Sequence, residues 1–121
     1  MPFGNRDFVN VVKQHASDRL GLEVIKSALR HKPFDSSPQR SKQIREFIAA
    51  LSESDREILS WLLQDAAELS VAGVLCVLDG VGGNYDGTFE LYSVESDETK
   101  HLINPENSEM LHDIYSELLS E

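Results

Sequence analysis

Cysteine is almost missing from this sequence: Cys76 stands alone among 121 residues, so no disulfide can form within the chain. A lone Cys in an apolar run fits a reducing compartment, and there it fills core space while burial holds the thiol unreactive. The N-terminus MPFGNRDF has neither the basic nor the apolar region of a signal peptide, and the sequence pattern suggests no span of ~20 apolar residues. The expectation is a soluble, cytoplasmic protein with no membrane partner. The chemical signatures are missing too. There is no Walker lysine, no G-x-G-x-x-G, no EF-hand spacing and no H-E-x-x-H. His15, His31, His101 and His112 are not at zinc-ligand spacings to each other or to Cys76. No serine begins a nucleophile elbow.

Positive charge is scarce in one half only. Residues 1–56 carry ten Lys/Arg against seven Asp/Glu, a net of +3. Residues 57–121 carry Lys100 alone against fourteen Asp/Glu, a net of −13, and the whole chain stands at −10. That balance repels nucleic acid and anionic lipid and attracts a basic protein.

What is present reads as a mainly helical α+β domain spanning residues 1–121, with four to five helices, a small antiparallel hairpin near 88–103 and a C-terminal helix. The stretch 54–80 is the densest apolar run and holds the single Trp. Ser54 and Glu57 match a capping box, and Ile58, Trp61, Leu62, Asp65, Ala66 and Leu69 recur at helical steps over about 15 residues. Residues 71–78 suit a buried helix or a buried strand; the 3–4 spacing of Val71, Val74, Leu75 and Leu78, with Gly80 placed as a helix terminator, favours the helix. Asp65 lies at the edge of the stripe, and whether it meets Asp79 depends on how the stretch folds.

Upstream, Asn5 is a cap candidate for a first helix, with Asp7 in its first turn and Phe8, Val11 and Val12 as its apolar side. Residues 17–31 suggest a second helix with Leu22, Ile25 and Leu29 on one face, weakened by Gly21. Phe34 pins the loop that follows. Ser37-Pro38 starts a third helix whose core face is Ile44, Phe47, Ile48 and Leu51. Downstream, residues 88–94 and 100–103 are β-prone around the turn Ser96 to Thr99. Asn104-Pro105 opens the last helix, with Leu111, Ile114, Tyr115 and Leu118 on its inner face. Its carboxylates oppose the helix dipole at the C-terminal end, which calls for fraying or a basic partner. The aromatics, Trp61 included, mostly fall on core faces.

The glycine-rich segment around Asp79, Asn84, Asp86 and Glu90 is the most tempting site. These four are weak oxygen-ligand candidates for a divalent cation, but the spacing fits a turn better. Tyr85, at the tip between Asn84 and Asp86, has no core periodicity to satisfy and suits an interface anchor. The functional expectation is therefore a non-catalytic, acidic protein-binding domain without cofactor, of the inhibitor or toxin-neutralising (immunity-like) kind. Tyr85, Asp86, Glu90, Glu95, Asp97 and Glu98 are its contact residues for a basic partner. Two alternatives stay open: a small enzyme or cation-binding protein centred on residues 79–90, and a homo-oligomer pairing the +3 half of one chain with the −13 half of another.

Overall fold

A computed structural model of the chain describes residues 3–30, 35–83 and 86–121. In order it forms α1 (Asn5–Val12), a π-helical turn (Lys13–Ser17), α2 (Leu20–Leu29), α3 (Pro38–Ala50), α4 (Glu53–Leu78), β1 (Tyr92–Val94), β2 (Lys100–Leu102) and α5 (Leu111–Leu119). The architecture is mainly helical α+β with one hairpin and a C-terminal helix. The chain gathers into two compact units: Met1–Ser17 with Leu69–Glu121, and Asp18–Glu68. We refer to these as unit 1 and unit 2.

The starts of the helices differ from their sequence signals in instructive ways. Gly4, not Asn5, caps α1, and its N–H donates to Asp7 Oδ2 at 2.9 Å. At α4, Ser52 rather than Ser54 is the acceptor, its Oγ taking the Asp55 N–H at 3.1 Å. Ser37 and Pro38 do begin α3. Residues 71–78 are helical, and they continue α4 without a break to a total of 26 residues, longer than the apolar stripe suggested. Gly80 then turns the chain with φ of 76°, a backbone conformation that costs glycine least.

Unit 1 holds the larger core. Val9 of α1, Leu75 of α4, Ile103, and Leu111, Ile114 and Tyr115 of α5 are buried together, with Phe8, Val71, Leu78 and Leu91 packed against them. The expected inner face of α5 is thus the real one. On α1 it is Val9 that is fully enclosed, while Val11 is exposed. The hairpin pairs Tyr92 with Leu102, Ser93 with His101 and Val94 with Lys100. Leu91 and Ile103 bring it onto the core, which a two-stranded ribbon requires for stability. Its turn is closed by Glu98 N–H to Glu95 O at 2.9 Å and Glu95 N–H to Thr99 O at 2.9 Å, with Glu98 at φ of 70°.

In unit 2, Ile25 of α2 and Ile48 of α3 are buried. Gly21 explains how α2 approaches α4. A Cβ there would stand 2.1 Å from Ser60 O and 2.9 Å from Gln64 N, so only glycine allows this backbone contact. The Gly21 N–H uses it, donating to Gln64 Oε1 at 3.0 Å. Arg56 ties α4 to the end of α3 by donating to Ile48 O at 2.9 Å and Ala49 O at 3.0 Å.

The sequence reading is corrected most strongly on α4. Ile58, Trp61, Leu62 and Leu69 are exposed, Asp65 is exposed beside them, and Leu75 alone is fully buried. Phe47, Phe89 and Tyr92 are also exposed, whereas Tyr115 is enclosed. By length and composition α4 is long and apolar enough to cross a membrane, which corrects the expectation that no stretch approaches this, although Asp65 and Glu68 interrupt it. Phe34 and His31 lie outside the described residues.

Candidate functional site

The best-formed polar arrangement in unit 1 is built where α4 ends. Asp79 follows the last turn of α4, and its side chain is only 4% exposed. Asp79 Oδ1 accepts the Leu111 N–H at 2.9 Å, and Oδ2 accepts the His112 N–H at 2.8 Å. Those amides open α5, where the first-turn N–H groups lack intrahelical acceptors and the dipole favours an anion. His112 Nδ1 stands 2.6 Å from the same Oδ2, and its Nε2 stands 3.3 Å from Asp113 Oδ1. A carboxylate 32 residues away therefore caps α5 and orients its histidine.

Asn104 is diverted from the capping role its sequence suggests. Its Nδ2 donates to Phe89 O at 2.9 Å, and its Oδ1 accepts the Leu91 N–H at 2.8 Å. The side chain thus stitches the approach to β1 onto the exit from β2. Residues 104–110 remain a turn, with Asn107 at φ of 68°, and α5 begins at Leu111. Beside this turn lies a recess of about 390 Å³ lined by Asp79, Thr88, Phe89, Glu90, Asn104 and Met110 among others.

The acid-rich end of α5 has its basic partner inside the protein. Arg6 Nη2 reaches Glu117 Oε2 at 3.1 Å and Glu109 Oε1 at 3.4 Å. The hydrogen bond that Arg6 donates to Glu117 and the Glu117 charge, with Glu109 adding to both, raise the guanidinium pKa. Asn5 Nδ2 adds a bond to Glu109 O at 3.2 Å. Deeper in unit 1, the buried Tyr115 hydroxyl donates to Ser17 Oγ at 2.8 Å.

The expected contact residues cluster on the hairpin and its approach. Glu90, Glu95, Asp97 and Glu98 are exposed, and so is Asp86. Glu90 Oε2 accepts the Tyr92 hydroxyl at 2.9 Å, and that hydrogen bond, with the carboxylate charge, raises the phenol pKa. Glu95 Oε1 lies 3.3 Å from His101 Nε2. Asp97 Oδ1 accepts the Thr99 N–H at 3.0 Å, and hydrogen bonds from Thr99 lower the Asp97 pKa. Tyr85 and Asn84 lie outside the described residues. Of the oxygen-ligand candidates, Asp79 has both oxygens occupied by α5, and no group of three His, Cys, Asp or Glu able to hold a metal ion occurs among the described residues. Asp79 is met by α5 and His112.

An Asp–His pair suggests proton transfer, but here both imidazole nitrogens face carboxylates and Asp79 is engaged by two backbone amides. The arrangement is suited to positioning α5. Residue type gave no hint of the Asp79–His112 link, because neither spacing nor pattern joins two residues across a hairpin. Tyr115 carried a fainter signal: a tyrosine on an otherwise apolar helix face needs a polar partner.

No protein-family model, no curated protein and no solved structure matches this chain.

Proposed function

We propose that the protein is a non-catalytic binding module that docks the acidic hairpin side of unit 1 on a basic protein, in the manner of an inhibitor or toxin-neutralising protein. One observation carries this reading. When the chain is regrouped by its compact units, unit 1 holds three Lys/Arg against twelve Asp/Glu, a net of −9, and unit 2 holds eight against nine, a net of −1. Nearly all the acidity therefore belongs to one body. Of its three cations, Arg6 is already paired with Glu109 and Glu117. Exposed Asp86, Glu90, Glu95 and Glu98 are left to steer a basic surface, speeding encounter and rejecting acidic competitors. The acid-lined recess beside Asn104 supports the same reading, since a lysine or arginine of the partner suits it.

The regrouping weakens the self-association alternative, because the +3 half of the sequence is not a compact unit. Lone Cys76, half-buried in α4, agrees with action in the cytoplasm. The test is capture by the tagged chain at about 50 mM salt, with elution in salt steps, beside a variant carrying Asp86→Lys, Glu90→Lys and Glu95→Lys. The expected result is a basic protein that leaves the wild type at moderate salt and is missing from the variant. Capture of the same proteins by both forms, or of none by the wild type, overturns the reading.

A further inference from the structure

A second surface, in unit 2, has a different character. Steps of three and four residues place Ile58, Trp61, Leu62 and Asp65 on one side of α4. The opposite side is the one engaged: Ser60 and Gln64 meet Gly21 there, and Leu63 and Ala67 are half-buried. Ile58, Trp61 and Leu62 are left 56%, 59% and 65% exposed, an apolar strip of the kind that marks an interaction site.

Charge decides what fits it. From residue 57 to the end of α4 the only charged residues are Glu57, Asp65 and Glu68, with no Lys or Arg. Asp65 sits inside the strip and has no hydrogen-bond or ion-pair partner among the described residues. A second copy of this strip, in either direction, would bring Glu57 or Asp65 toward Asp65, while the neighbouring Arg56 is engaged with the Ile48 and Ala49 carbonyls, so like charges oppose self-pairing. Burial in lipid would strand the Asp65 carboxylate in hydrocarbon. An amphipathic helix with Lys or Arg flanking its apolar face meets both requirements. Its apolar side chains cover Ile58 and Leu62, its cation neutralises Asp65, and the Trp61 ring offers a cation–π contact. We propose that this side of α4 is a docking strip for a basic amphipathic helix of another protein. The inference concerns unit 2 and does not rest on the hairpin reading.

Trp61 is the single tryptophan of the chain, so its emission reports the strip directly. The probes are a synthetic helical peptide of about 18 residues built from Leu and Lys at helical spacing, and its counterpart with Glu replacing Lys. Titrating the full chain with the Leu–Lys peptide is expected to shift Trp61 emission to shorter wavelength and saturate, while the Leu–Glu peptide leaves it unchanged. Asp65→Lys should invert that ranking, and Leu62→Gln, at an exposed position, should weaken Leu–Lys binding about tenfold. The triple reversal at Asp86, Glu90 and Glu95 should leave the titration unaltered, which separates this strip from the hairpin. Equal binding of the two peptides, or loss of the shift in the triple variant but not in Asp65→Lys, overturns the proposal. So does a shift that grows with the protein's own concentration without peptide, or one that phosphatidylcholine vesicles alone produce.

Discussion

Asp79 Oδ2 lies 2.6 Å from His112 Nδ1 and accepts the backbone N–H of the same residue at 2.8 Å. One carboxylate thereby fixes both the start of α5 and the orientation of its only histidine. Asp79→Ala removes both acceptors, and the expected cost is about 2–3 kcal/mol, combining loss of a helix cap with loss of a charge-assisted bond. Asp79→Asn keeps one oxygen and should cost about half as much. Urea unfolding at neutral pH measures both, and a loss under about 0.5 kcal/mol for Asp79→Ala would refute the capping role.

Gly21→Ala should act against its intrinsic preference. Alanine favours helix over glycine by about 1 kcal/mol, so on propensity alone the variant gains stability. The Cβ would instead meet Ser60 O at 2.1 Å and Gln64 N at 2.9 Å, both backbone atoms. Parting α2 from α4 to make room should destabilise the protein by about 1–3 kcal/mol. Thermal or urea unfolding decides, and a stabilised variant would show that the two helices do not meet there.

The hairpin should weaken in both acid and alkali. Hydrogen bonds from Thr99 hold the Asp97 carboxyl below its ordinary 3.8, and Glu90 lifts the Tyr92 phenol above its ordinary 10.0. A lowered acid stabilises the fold above its unfolded pKa, and that contribution is lost as pH falls through the folded value. A raised phenol contributes below its unfolded pKa, and that contribution is lost as pH rises through the folded value. Both groups are exposed, so the effects are local and modest. Carbon-detected NMR titration should place Asp97 below 3.8, with Thr99→Val moving it upward, and Glu90→Gln should return Tyr92 toward 10.0. An Asp97 midpoint at or above 3.8 would contradict the turn geometry.

Local grammar carried the readable part of the fold. Ser37-Pro38 begins α3, Gly80 takes its left-handed turn, and Leu111, Ile114 and Tyr115 form the inner face of α5, because caps, positive φ and 3.6 periodicity are set by near neighbours. Periodicity identified the stripe on α4 but not its surroundings: an amphipathic pattern says that residues share a face, not that anything covers it. Trp61 is the case in point. Asn104 shows the opposite failure, since a residue suited to capping can be claimed by a strand that needs two bonds at Phe89 and Leu91. Ser52 displaced Ser54 because two hydroxyl residues two positions apart offer nearly equal starts. At the candidate site, the acids of the hairpin were visible from composition. The Asp79–His112 clasp and the answer of Arg6 to Glu117 were not, as both join residues far apart in the chain.

The division of the chain also has a consequence for its synthesis. Unit 1 draws on Met1–Ser17 and on Leu69–Glu121, so unit 2 is an insertion within it. Val9 finds Leu111, Ile114 and Tyr115 about a hundred residues later, and Arg6 finds Glu117. During synthesis α1 is made well before α5 and waits for it, whereas unit 2 has all its residues before α5 is made. α5 closes α1 across the inserted unit, and contacts of such sequence separation form slowly. Through that interval Phe8 and Val9 stand uncovered, a window in which a chaperone has something to hold.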